Sequence, residues 1–102
     1  MFSPRVAIAS LSGRSDAEWA RAAAPHVGAA FLGGIALDGA TREAARALVE
    51  RDRTEFLPPD PLRFVAAQFR TLDDVAVRPG INVRSATVEP IRRAARLCCE
   101  HD

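Results

Sequence analysis

The residues best placed to contact a ligand lie in a turn formed by Ser10, Leu11, Ser12 and Gly13. A short apolar run at residues 5–9 precedes this turn, and a serine and an aspartate that can cap a helix follow it. In α/β proteins the carboxyl end of a strand delivers the chain to a helix amino terminus, where ligands commonly bind. The sequence therefore favours a ligand-binding turn, with an ordinary strand-to-helix loop as the alternative.

Asn82 and Arg84 are further candidates for ligand binding, at the end of an apolar run at residues 81–83. Side chains alternate between the two faces of a strand, so residues two apart share a face. Asn82 can then hydrogen-bond a ligand, and Arg84 can contact an anionic ring or a phosphate. The competing interpretations are a strand-end asparagine that caps a turn and an arginine exposed at the rim of the sheet.

The residue types exclude several kinds of chemistry. All fourteen basic residues are arginine, so no lysine is present to form a Schiff base or to bind phosphate in a loop. His26 and His101 have no sequence neighbours that indicate a catalytic triad or a metal site. Cys98 and Cys99 are adjacent in a helical pattern and are expected to pack on the helix face. The sequence thus predicts no catalytic residue and no metal ligand.

Composition indicates an ordinary globular chain with room for one modest domain. It has 102 residues, of which 48% are hydrophobic and 26% charged, and a formal net charge of +1. Such a balanced charge does not by itself call for a nucleic-acid or membrane partner. No signal-peptide pattern and no run of membrane-spanning length is present. We therefore expect a cytoplasmic protein with no membrane association.

The elements that must position the candidates repeat a strand-then-helix plan. Strands are predicted at residues 5–9, 28–32 and 81–83, with a short extended piece at 75–77. Helices are predicted after Asp16, over 41–53, over 61–69 behind an Asp60 cap, and after Thr87. The pair Gly33-Gly34 is predicted to turn the chain sharply or to let its backbone approach a ligand closely, and the pair Pro79-Gly80 is predicted to turn the chain. This order predicts an α/β fold with three parallel strands and right-handed crossovers.

The final helix has a marked division between apolar and basic residues. Its apolar residues are expected on one side and its arginines on the other: Val88, Ile91, Ala95, Cys98 and Cys99 against Arg92, Arg93 and Arg96.

The first turn resembles a known motif. The segment I-A-S-L-S-G-R-S-D-A-E-W is similar to the amino-terminal A-P-M-A-G-V-T-D-x-x-F motif of tRNA-dihydrouridine synthases and their archaeal relatives. The matching residues are Ala9, Gly13, Ser15, Asp16 and Trp19, whereas Ser10 and Leu11 replace the family's Pro-Met. The segments A-A-F-L-G-G-I-A-L-D, E-R-D-R-T-E-F-L and G-I-N-V-R-S resemble the archaeal branch's second strand, the helix end after it and the third strand.

The resemblance implies that the chain is the amino-terminal portion of a (β/α)8 TIM barrel, about three parallel βα units in one partial domain over residues 1–102. It implies FMN as cofactor, with Asn82 where many members place a glutamine that hydrogen-bonds the flavin ring. The expected cofactor-binding residues are Ser10, Leu11, Ser12, Gly13 and Asn82, with Arg84 as a substrate-binding residue.

The function implied is hydride transfer between flavin and the C5=C6 bond of uracil. Because a TIM barrel takes ~250 residues, we expect this chain to stop before strand four and to be inactive alone. The tRNA or pyrimidine substrate would then bind through the remainder of the barrel. Two alternatives stay open: a related FMN barrel that acts on free pyrimidines or another small substrate, and a non-catalytic α/β module that binds or forms a homo-oligomer through its open sheet edge.

Overall fold

The computed structural model describes residues 4–100 of the chain, which form a three-stranded parallel sheet and four helices. In chain order the elements are β1 (Ala7–Ile8), α1 (Ala17–Ala23), β2 (Ala29–Ala36), α2 (Gly39–Val49), α3 (Pro61–Thr71), β3 (Arg78–Arg84) and α4 (Val88–Glu100). The strand order across the sheet is β1-β2-β3, with every pairing parallel. The predicted α/β class, element order and parallel strands are confirmed.

The central strand β2 extends further than the sequence predicts. Gly33 and Gly34 lie inside the strand, where the register with β3 shifts between Gly33 and Ile35, so they form an irregularity within β2 and do not end it. Gly33 has a φ of +111°, which suits glycine because it has no Cβ. The prediction of a sharp turn at this pair was therefore wrong.

Strand β3 begins before the proline-glycine pair that was predicted to turn the chain. Arg78 N donates to Gly28 O at 2.9 Å. Successive backbone nitrogens of a strand face opposite sides, so the nitrogen of Pro79, which carries no hydrogen, faces the outer edge of the sheet, and no hydrogen bond between strands is lost. Gly80 fits within the strand because the Phe31 ring occupies the place of a side chain: a Cβ there would lie 2.6 Å from the ring. Residues 75–77 form a bend, whereas the sequence predicted an extended piece.

The core lies on one face of the sheet, under α1, α3 and α4. Alternate side chains of β2 contribute to it, and helices α1 and α3 contact each other above them. Gln68 of α3 ties the two helices together, since its Oε1 accepts from Ala17 N at 2.6 Å. The buried cluster comprises Ala17, Ala20, Val27, Ala30, Leu32, Ile35, Val65, Phe69, Leu72 and Val77.

The helix caps follow the sequence at two of the predicted sites. Asp16 Oδ1 accepts from Trp19 N at 2.9 Å at the start of α1, and Asp60 Oδ1 accepts from Arg63 N at 3.2 Å before the leading proline of α3. Helix α2 begins at Gly39 and ends at Val49, earlier than predicted at both ends. The chain leaves it through a turn in which Asp52 has a φ of +62°.

Helix α4 is rotated from the predicted orientation. Ala94 is its buried residue, and Leu97 and Cys98 pack partly against the core, as the i, i+3, i+4 spacing allows. Val88 and Ile91 are exposed, so the expectation that they share the core side is wrong. Within residues 4–100, no helix is long and apolar enough to cross a bilayer.

Candidate site at the carboxyl edge of the sheet

Four segments meet at the carboxyl edge of the sheet. The turn after β1 carries Ser10, the irregular part of β2 carries Gly34, and β3 ends with Asn82 and Arg84. The fourth segment, residues 54–56, lies between α2 and α3 and joins the same edge, because Phe56 forms an isolated parallel bridge with Ile35. We call the side chains of Ser10, Asn82, Arg84 and Glu55 at this place the edge cluster.

The turn after β1 is a tightly bonded loop. Ser15 is buried, its Oγ accepts from Leu11 N at 2.5 Å, and its carbonyl oxygen accepts from Gly33 N at 3.0 Å. The hydroxyl of Thr54 donates to Ser12 O at 2.7 Å. Gly13, with a φ of +78°, lets residues 54 and 55 approach so closely that a Cβ would lie 2.5 Å from Glu55 N. The loop is therefore fixed against both β2 and the segment after α2.

Asn82 and Ser10 contact each other across the sheet edge. The Asn82 side-chain amide donates from Nδ2 to Ser10 Oγ at 3.0 Å. This hydrogen bond links β3 to the turn after β1, across the central strand β2. The two residues also line a shallow open depression together with Ala9, Phe31 and Ile81. An amide carries two N–H donors and one carbonyl acceptor, so this contact leaves polar groups of Asn82 available to a ligand.

Gly34 provides the space that Asn82 and Arg84 occupy. A Cβ at Gly34 would lie 3.2 Å from Asn82 Nδ2 and 3.5 Å from Arg84 Nε. Both side chains therefore extend over the same glycine, on the face shared by residues two apart in β3. The Arg84 Nε atom is buried and has no hydrogen-bond partner.

Glu55 is the member of the edge cluster that the sequence did not reveal. Its carboxylate forms an ion pair with the Arg84 guanidinium, and the Glu55 side chain is only 5% exposed whereas that of Arg84 is 41% exposed. Nothing in the local pattern marks Glu55, because it follows several charged residues in a loop. Contacts between distant segments bring it to the edge: the bridge between Phe56 and Ile35 and the close approach of residues 54 and 55 to Gly13.

The structure divides the predicted site residues into two groups. Ser10, Asn82 and Arg84 come together, as described above. Ser12 lines a different depression, together with Leu48, Arg53, Thr54 and Glu55. Gly13 acts as the point of close approach to residues 54 and 55, and the Leu11 side chain is exposed. The half of the turn nearest β1 thus faces the edge cluster, and the other half faces the segment after α2.

Other residues that bear on chemistry lie away from the edge cluster. His26 is exposed, Cys98 lies at the opposite end of β3 in a cavity with Phe69 and Leu72, and His101 lies outside the described residues. Across residues 4–100, no three His, Cys, Asp or Glu side chains form a group that could hold a metal ion. Asp38, in contrast, lies at the same edge, since the preceding Leu37 N donates to Arg84 O at 2.9 Å, and hydrogen bonding with the Thr41 hydroxyl lowers the pKa of Asp38.

Comparison with protein-family models, with curated proteins and with solved structures found no match to this chain. The geometry of the edge cluster is therefore the physical basis on which a function can be argued.

Proposed function

We propose that this chain forms part of the flavin-binding edge of an FMN-dependent oxidoreductase that resembles tRNA-dihydrouridine synthases, built on the first three units of a (β/α)8 barrel. One observation carries the proposal: Asn82 and Arg84 extend together over Gly34, beside Ser10, at the carboxyl ends of parallel strands. Ligands of parallel α/β proteins bind at this edge, because the strand-to-helix turns meet there.

The polar groups of the edge cluster fit the pyrimidine end of a flavin ring. That end presents carbonyl oxygens and an N–H, and the Asn82 amide both donates and accepts hydrogen bonds. The Arg84 side chain is 41% exposed, so the guanidinium N–H groups that do not contact Glu55 can donate to a ring carbonyl. Ser10 holds the Asn82 amide in orientation through its hydroxyl. The role of these side chains is to bind and orient the ring.

The flavin, when bound, supplies the hydride-transfer chemistry. The uracil C5=C6 bond of a tRNA is the proposed substrate, and a free pyrimidine is the alternative within the same class. The uncovered face of the sheet supports the barrel proposal, since Phe31 on that face is 43% exposed although its neighbours in β2 are buried. In a barrel that face would be the interior, and further strands would cover it.

The direct test is a titration of the protein with FMN, followed by flavin fluorescence. Saturable binding is expected, and Asn82→Leu should weaken it about 10-fold, since one or two hydrogen bonds are lost while the branched shape of the side chain is kept. Asn82→Gln keeps the amide and should recover part of the affinity. Arg92→Ala, on the exposed side of α4, is the matched control and should bind as the wild type does. No saturable binding by the wild type, or equal affinity of all four proteins, would contradict the proposal.

A second candidate is a non-catalytic module that forms a homo-oligomer through its sheet. The observation that favours it is the exposure of Phe31 on β2 and of Val6, immediately before β1, together with an outer edge of β3 that pairs with no described strand. Sedimentation equilibrium at several protein concentrations tests it. A mass that rises from one to two chains supports this candidate, and a constant monomer mass argues against it.

A further inference from the structure

The ion pair between Glu55 and Arg84 leaves the edge cluster without net charge. Asn82 and Ser10 are neutral, and the cluster contains one carboxylate and one guanidinium in direct contact. A guanidinium at a ligand-binding edge ordinarily attracts phosphates and carboxylates, because it presents several N–H donors in a planar fork. Here Glu55 occupies part of that fork.

Glu55 is held in place by its neighbours in the chain. Thr54 donates to Ser12 O at 2.7 Å, the backbone of residues 54 and 55 packs against Gly13, and Phe56 bridges to Ile35 of β2. The carboxylate is almost fully buried at 5% exposure, unlike the mobile carboxylates of surface ion pairs. An incoming anion would therefore meet a guanidinium whose positive charge is already balanced by a fixed, buried carboxylate.

We propose that Glu55 sets the charge selectivity of the carboxyl edge: by pairing with Arg84 it makes this edge accept an uncharged polar ring and discriminate against a phosphate or carboxylate. The inference rests on the proposed function in that both concern binding at the same edge. Glu55 is a positioning residue in this account, since it acts on the ligand through Arg84. Arg84 then serves as a hydrogen-bond donor from the exposed N–H groups of its guanidinium, and its positive charge is already balanced.

The test compares two small pyrimidines of different charge, uracil and orotate, which differ by a carboxylate on the ring itself. Wild-type protein should bind the two within about 2-fold of each other or favour uracil, because a balanced guanidinium adds little for the carboxylate. Glu55→Gln removes the carboxylate of the protein and keeps the side-chain size, so orotate should gain about 10-fold over uracil, as a charge-assisted contact provides. Arg84→Gln should shift the ratio the other way, because the Glu55 charge then repels the orotate carboxylate. The double variant should return the ratio to near one.

A second measurement does not depend on flavin binding. Thermal melting with and without inorganic phosphate, at matched ionic strength, should show no phosphate-specific stabilisation of the wild type. A rise in Tm with phosphate is expected for Glu55→Gln, since a ligand that binds only the folded state stabilises it. Glu43→Gln is the matched control, because Glu43 pairs with Arg46 on the exposed face of α2. It should resemble the wild type in both measurements.

The outcomes separate this inference from the proposed function. If FMN does not bind the wild type in the flavin titration, the proposed function fails, while the orotate-to-uracil ratio and phosphate melting still decide the role of Glu55. If orotate binds the wild type at least about 10-fold tighter than uracil, the inference is overturned whether or not FMN binds. An unchanged orotate-to-uracil ratio in both Glu55→Gln and Arg84→Gln would also overturn it.

Discussion

The two faces of the sheet differ in what they bury. On the covered face, Leu32 and Ile35 are each 1% exposed and pack with Val65 and Phe69 of α3. On the open face, Phe31 is 43% exposed and lies over Gly80, and the carboxyl end holds Asn82 and Arg84. A single strand, β2, thus contributes to stability through one set of alternating side chains and offers a ligand-binding or partner-binding surface through the other.

The difference also concerns the kind of interaction on each face. The covered face is an apolar cluster whose stabilisation scales with the area removed from water. The open face depends on hydrogen bonds and an ion pair, which stabilise little unless their partners are fixed. Substitutions on the covered face should therefore have the largest effect on the free energy of unfolding. Substitutions at the edge cluster should change ligand affinity more than stability.

The largest expected effect comes from Leu32→Ala, which should lower the free energy of unfolding by about 3 kcal/mol through lost burial and a cavity. Phe31→Ala, one residue away on the open face, should cost only about 1 kcal/mol, since nearly half of the ring is already in water. Urea unfolding followed by circular dichroism measures both. Equal losses for the two variants would mean that the open face is covered in solution.

The next effect concerns the two halves of the ion pair at the edge cluster. Arg84→Gln should destabilise the protein by about 2 to 3 kcal/mol, because it leaves the Glu55 carboxylate buried without its counter-charge. Glu55→Gln should cost about 1 kcal/mol, since the partly exposed Arg84 side chain can be hydrated and the Gln carbonyl can still accept from it.

Denaturant unfolding of the two single variants and the double variant gives the coupling energy between the residues. A reversed order, with Glu55→Gln the more damaging change, would show that Arg84 depends on the pair more than Glu55 does. No coupling would indicate that the two side chains do not interact in solution.

Local sequence signals accounted for the features that depend on neighbouring residues. The caps at Asp16 and Asp60, the parallel strands and the shared face of Asn82 and Arg84 follow from short-range patterns, and all are present. Glu55 could not be predicted, because its place depends on the contact of residues 54–56 with Gly13 and with β2.

The missed features of the strands have a related cause. Gly33-Gly34 and Pro79-Gly80 read as turns because local propensity disfavours glycine and proline in strands. In the structure, side chains from the neighbouring strand fill the space beside two of these glycines. The Phe31 ring lies beside Gly80, and the side chains of Asn82 and Arg84 lie beside Gly34. The predicted orientation of α4 was also wrong. Its helical pattern permits two adjacent apolar sides, and only packing against α3 and β3 determines that the side with Ala94 is buried.

Gly34→Ala gives a smaller and more local effect. The added Cβ lies 3.2 Å from Asn82 Nδ2, so the amide must move by a few tenths of an ångström. We expect a stability loss of about 0.5 to 1 kcal/mol together with weaker flavin binding. Gly39→Ala, at the first position of α2, is the matched control: no atom lies within 4 Å of its new Cβ, and removal of glycine from a helix should stabilise by roughly 0.5 kcal/mol. A Gly34→Ala variant that binds flavin as the wild type does would place the ligand elsewhere.

The smallest effect is expected at an exposed ion pair, which sharpens the contrast with Glu55 and Arg84. Arg21 Nη2 lies 3.0 Å from Asp74 Oδ1, with the side chains 44% and 74% exposed. The hydrogen bond and the charge of Arg21 lower the pKa of Asp74 from its ordinary value of 3.8. Since the folded-state pKa lies below the unfolded one, the stabilisation is present above the unfolded pKa and is lost as the pH falls through the folded pKa.

Asp74→Asn should therefore be slightly less stable than the wild type at neutral pH, and the difference should vanish in acid, below the folded pKa of Asp74. Salt at about 1 M should also remove most of it, because exposed charges are screened over ~3 Å at that concentration. The coupling between Glu55 and Arg84 should persist in the same salt, since the Glu55 carboxylate is buried. Unfolding curves at both salt concentrations compare the two pairs directly. If salt weakened both equally, burial of Glu55 would not distinguish the edge cluster from the surface, and its proposed role in charge selectivity would lose its physical basis.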